Sequence, residues 1–69
     1  MTTHELLIIR TGTAYLRFIK EECLACGLDK ASVFPMEAMD TVVARAQTLK
    51  SRGFPDASVF RLTITETPL

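Results

Sequence analysis

Sixty-nine residues with 8 basic and 8 acidic side chains and a pI near 6.5 make one small domain with no general electrostatic hold on nucleic acid or an anionic membrane. A chain this short buries only about 60% of its unfolded surface, so a hydrophobic content of 48% implies apolar surface that a second chain covers. No run approaches the ~20 apolar residues of a membrane span, and Leu6 to Ile9, held between Glu5 and Arg10, is too short for a secretory core.

With two cysteines and no disulfide framework, the expected setting is cytoplasmic with reduced thiols. The whole of 1–69 is expected to fold as a single α+β domain, with 67–69 as a frayed tail.

Residues 5–11 predict a strand. Leu6, Leu7, Ile8 and Ile9 are consecutive, so this strand is apolar on both faces, the pattern of a strand covered on both sides. Thr11-Gly12-Thr13 supplies a tight turn, with Gly12 free to take a positive φ. The next run, 14–20, alternates: Leu16 and Phe18 share one face, and Tyr15, Arg17 and Ile19 the other.

Residues 20–28 read in two ways. As a short third strand they put Cys23 and Ala25 on one face and Leu24 and Cys26 on the other. As a helix over 14–26, Thr13 would cap it, Leu16, Ile19, Cys23 and Cys26 would line one side, and Gly27 would stop it. The strand reading is preferred, because Thr-Gly-Thr suits a hairpin and a lone helix needs several strands to cover.

The chain is organised around an amphipathic helix over about 35–52. Pro35 fits the first helical position, and Glu37 and Asp40 lie near the positive end of the dipole, with Lys50 and Arg52 near the negative end. Met39, Val42, Val43, Ala46 and Leu49 form the apolar stripe. Gly53 closes the helix in a left-handed conformation, Phe54 folds back onto Leu49, and Pro55 prevents continuation. Ahead of the helix, 31–34 is an extended lead. Behind it, 57–66 is the clearest alternation in the chain, with Phe60, Leu62 and Ile64 on one face and Val59, Arg61, Thr63 and Thr65 on the other. Ala-Ser-Val-Phe occurs at both 31–34 and 57–60, too short a repeat to mark a duplication.

The expected architecture is therefore β-β-(β)-α-β: an antiparallel sheet of 3–4 strands with one helix packed on Leu16, Phe18, Phe60, Leu62 and Ile64. The alternative is β-α-α-β. One helix covers one face. The uncovered face is expected to carry Leu7, Ile9, Tyr15, Arg17, Ile19, Val59, Arg61 and Thr63, and to bind a second copy of the chain or another protein. The leading functional expectation is a non-enzymatic interaction or regulatory domain acting as a homodimer, with no cofactor.

Two other chemistries were weighed. Tyr15, Arg17 and Arg61 on adjacent strands would form a small basic-aromatic platform for single-stranded nucleic acid, against their ordinary place on a solvated sheet face. Cys23-Leu24-Ala25-Cys26 is a lone C-x-x-C. Redox use needs a depressed thiol pKa, which the preceding Glu21 and Glu22 oppose, and a zinc site needs four ligands where the chain offers two thiols and His4. Packing in or beside the core is the simpler role for both thiols. His4, beside Glu5, has no nucleophile tied to it by spacing.

Overall fold

The computed structural model of the chain describes residues 1–20 and 22–69. It has five strands, β1 (Thr2–Thr11), β2 (Ala14–Ile19), β3 (Glu22–Cys26), β4 (Val33–Pro35) and β5 (Ser58–Glu66), and one α-helix, α1 (Met39–Lys50). Short 3₁₀ turns at Leu28–Lys30 and Met36–Ala38 flank β4. The α+β class with a small antiparallel sheet is the one the sequence predicts. Residues 14–19 and 22–26 form the two strands of a hairpin, which removes the alternative with a helix there.

β1 is the axis of the sheet. Along one edge it pairs with β5 without a break, from Thr2↔Glu66 to Arg10↔Ser58. Along its other edge it pairs with β2 at Arg10↔Tyr15 and Thr11↔Ala14, and with β4 from Leu6↔Pro35 to Ile8↔Val33. β2 therefore splays from β1 after the first turn, and β4 fills the opening: the Ser32 N–H donates to the Leu16 carbonyl at 3.1 Å, and the Phe18 N–H donates to Ser32 Oγ at 2.9 Å. β4 and β5 run parallel to each other on either side of β1, and α1 connects them across one face of the sheet.

The turn between β1 and β2 has two residues, with a positive φ of 60° at Gly12 alone, the pattern of a type II′ turn. Asp56 braces it by accepting a hydrogen bond from the Thr11 hydroxyl.

α1 is shorter than the sequence predicts. Phe34 and Pro35 are held in the ladder opposite Leu7 and Leu6, and Pro35 has ψ 155°, so the helix cannot begin at 35. The 3₁₀ turn that follows delays it to Met39. The C-terminal end follows the prediction: Gly53 has φ 105°, and the Phe54 N–H donates to the Leu49 carbonyl at 3.0 Å, the long bond of a Schellman closure.

The core lies between α1 and the sheet face beneath it. Val42, Ala46 and Leu49 pack with Leu7, Ile9, Leu16 and Ala57, and Phe18, Phe34, Phe54 and Val59 rim them. Met39 and Val43 are 38% and 40% exposed, so the buried arc of the helix is narrower than its apolar stripe.

The placement of β5 corrects the expected faces. Val59 lies opposite Ile9, and Arg61 opposite Leu7, on the side that faces α1; Phe60, Leu62 and Ile64 lie opposite Ile8, Leu6 and His4, on the side that faces away. The small Ala57 and Val59 lie beneath the helix and let it approach closely, while the larger Phe60 is kept outside. Leu7, Ile9 and Val59, expected on the uncovered face, are in or against the core instead.

Candidate functional site

The outer face of the sheet, away from α1, carries five of the ten large apolar side chains left exposed among the described residues. Ile19, Leu24, Val33, Phe60 and Ile64 stand there with 39–48% of their surface exposed, and Tyr15, Leu6 and Leu62 are half-buried among them. Their common face follows from pairing: β5 matches Phe60 to Ile8, β4 matches Val33 to the same Ile8, and β3 matches Leu24 to Arg17 and Cys26 to Tyr15. Ile8, flanked by Phe60 and Val33, is only 2% exposed although it belongs to no helix-covered cluster. It is the floor of the outer face.

Arg10 ties the face together. Its guanidinium carbon is 5.4 Å from the centre of the Tyr15 ring and 4.9 Å from that of Phe60, a cation held between aromatics on two different strands. One terminal nitrogen donates to the Gly12 carbonyl at 3.3 Å, while the Nε–H is buried without a partner among the described residues.

Of the eight residues the sequence nominates for this surface, Tyr15, Arg17 and Ile19 are on the outer face. Leu7, Ile9 and Val59 are core residues of the inner one. Arg61 and Thr63 are exposed, but on the inner side, where Arg61 Nε is 3.4 Å from the Glu5 carboxylate. Leu6, Ile8, Phe60, Leu62 and Ile64 take the places expected of the others. Reading β1 and β5 one residue out of phase produces the whole exchange, because period-2 alternation fixes which residues go together but not which side they face. The basic-aromatic platform is divided for the same reason: Arg61 is on the opposite face from Tyr15 and Arg17.

The two cysteines are also divided. Cys23 pairs with Phe18 on the inner face, and Cys26 with Tyr15 on the outer, since residues three apart on a strand point oppositely. Both are free thiols. Burial pushes the Cys23 thiol above its ordinary pKa, against an opposing pull from Arg45, with Cys26 adding a small push in the same direction as burial. Such a thiol stays protonated at neutral pH and is a poor nucleophile. The expected Glu21–Glu22 pair depends on Glu21, which lies outside the described residues. Among the described residues no three His, Cys, Asp or Glu side chains are grouped to hold a metal, and no helix is long and apolar enough to cross a membrane. His4 Nε2 lies 3.4 Å from the Glu66 carboxylate, with both side chains exposed.

The inner face is not wholly covered either. Between α1 and the β2–β3 hairpin lies an open groove of about 530 Å³, floored by Phe18, Leu49 and Phe54, with Lys20, Arg45 and Arg52 on its rim. Arg45 rests on the Phe18 and Phe34 rings at 4.9 and 5.8 Å. Cys23 and Glu22 also line it, with the Cys23 thiol held in its protonated form by burial.

In comparisons with known proteins, no family model, no curated protein and no solved structure matches this chain.

Proposed function

We propose that this domain is a non-enzymatic protein-interaction module whose contact surface is the outer face of its sheet, and that it acts as a homodimer. The observation that carries the reading is the set of five large apolar side chains, each 39–48% exposed, gathered on that one face around the Arg10–Phe60–Tyr15 stack. In a homodimer each copy supplies five such side chains, and removing the remaining exposed part of all ten from water contributes about 6–13 kcal/mol. Association costs about 4–15 kcal/mol in lost translational and rotational freedom. The face alone thus about balances the cost of association, and polar or backbone groups add to the stability of the complex.

Light scattering after size exclusion, together with binding of a hydrophobic-surface dye, tests the reading. Self-association at high protein concentration is expected, weakened by Phe60→Glu without loss of the folded circular-dichroism spectrum. A strict monomer that binds dye would move the partner from a second copy to another protein. A strict monomer that binds no dye would overturn the reading.

A further inference from the structure

We infer that two copies of the domain join through the free edge of β5, antiparallel, in the register that sets Leu62 against Leu62 of the second copy. The inference rests on the outer face being a contact surface and names what extends it. β5 pairs with β1 and with nothing else among the described residues, so its other edge presents unpaired backbone along all of Ser58–Glu66. Edge strands are ordinarily guarded by proline, lysine, a bulge or brevity. β5 has no proline or lysine, its pairing with β1 is continuous over nine residues, and its one internal charge, Arg61, is neutralised by Glu5 on the inner side.

The strand is also complementary to itself. Leu62 is the midpoint of Ser58–Glu66, so pairing centred there engages the whole strand. On the outer face Phe60 meets Ile64 of the second copy, Leu62 meets Leu62, and Ile64 meets Phe60, which makes one apolar row across the two-fold axis. On the inner face Arg61 meets Thr63, and Val59 meets Thr65, so no like charges are opposed. Neighbouring registers are worse. Centring on Arg61 opposes two guanidinium groups, and centring on Thr63 sets the Glu66 carboxylate against Phe60.

Nine paired residues form about nine backbone hydrogen bonds. That is comparable to the ~10 of an ordinary stable interface, and it sets the two outer faces side by side with Phe60, Leu62 and Ile64 of both copies in one apolar row. The antiparallel arrangement also lays the helix-covered start of each β5 beside the bare end of the other, so the two helices are offset along the strand.

Single-cysteine cross-linking tests the register. In a Cys23→Ser, Cys26→Ser background, Leu62→Cys places two thiols on the two-fold axis, with Cα atoms about 4.5–5.5 Å apart, inside the range a disulfide spans. Arg61→Cys and Thr63→Cys place them about 8 Å apart, beyond that range. In a glutathione redox buffer, Leu62→Cys is expected to give about tenfold more covalent dimer than either neighbour. Wild-type protein supplies a second measurement free of any folding defect: amides of β5 are expected to gain hydrogen-exchange protection as concentration rises.

Val43→Glu, on the exposed side of α1 and away from both the β5 edge and the outer face, is expected to leave both results unchanged. A dimer that never cross-links at position 62 and that Val33→Glu abolishes would overturn the edge pairing and keep the outer face as the contact. A monomer that binds hydrophobic dye would do the same. A monomer that binds none would overturn both.

Discussion

The two sides of the β1–β5 ribbon differ most where the helix no longer reaches. A twelve-residue helix spans about 18 Å, whereas nine paired residues of ribbon span about 30 Å. The ribbon therefore projects beyond the core, and the molecule is elongated at 43 × 23 × 22 Å. On the inner side of that projecting end stand Thr3, Glu5, Arg61, Thr63 and Thr65; on the outer side stand Leu6, Leu62 and Ile64, with His4. Neither side is covered by a helix among the described residues. The inner side is polar where the helix stops, as a solvated surface should be. The outer side stays apolar as far as Ile64, beyond which Thr2 and Glu66 end it. Its hydrophobicity is thus not a by-product of packing against the helix, and the contrast is the physical reason for assigning the outer side to a partner.

The largest expected effect separates the faces by truncation. Ile9 is fully buried on the inner face, and Ile9→Ala is expected to cost about 2–5 kcal/mol. That is much of the stability of a domain this size, for which about 0.05–0.15 kcal/mol per residue is usual. Ile64→Ala on the outer face removes the same atoms from a 41% exposed site and is expected to cost under about 1 kcal/mol in dilute protein. Urea unfolding followed by circular dichroism measures both. At high concentration the wild type should gain stability by mass action while Ile64→Ala gains less. Equal behaviour of the two variants at every concentration would erase the distinction between the faces.

Within α1 the same comparison is made at adjacent positions. Val42 is 1% exposed and Val43 is 40% exposed. Val42→Ala is expected to cost about 1.5–2.5 kcal/mol, from two lost methylene equivalents and a residual cavity. Val43→Ala should stay within about 0.5 kcal/mol, helped by the better helix propensity of alanine. A large loss at Val43 would mean that the apolar stripe is buried across its full width.

These pairs also mark where the sequence was legible. The turn at Gly12, the helix stop at Gly53–Phe54 and the alternation of 14–20 and 57–66 all follow from local chemistry, and each is found where local chemistry places it. The start of α1 was not legible because Pro35 suits a strand end as well as a first helical turn, and pairing with Leu6 decides between them. The side on which β5 turns Phe60 was not legible because β1 is apolar on both faces: Leu6 and Ile8 were as good a core pair as Leu7 and Ile9. Only the fit of Ala57 and Val59 beneath the helix settles the phase, and that is a tertiary effect. The candidate surface inherited this ambiguity. Its existence was legible from one helix and a two-sided strand, but five of its eight nominated residues were not.

The smallest effects concern two positions with positive φ that the sequence fills differently. Gly53 closes α1 at φ 105°, and an added Cβ there would meet nothing within 4 Å. Gly53→Ala therefore costs only backbone strain, about 1–2 kcal/mol, offset in part by the lower unfolded-state entropy of alanine. A net loss of about 1 kcal/mol is expected. Lys20, after β2, sits at φ 56°, the only non-glycine residue with positive φ among those described. Lys20→Gly relieves strain of the same size but frees the unfolded chain by about 0.5–1 kcal/mol. The difference leaves a gain of up to about 1 kcal/mol, read as a raised urea midpoint with an unchanged slope. A loss on Lys20→Gly would mean that the lysine side chain makes a contact at the rim of the inner groove worth more than the strain its backbone carries.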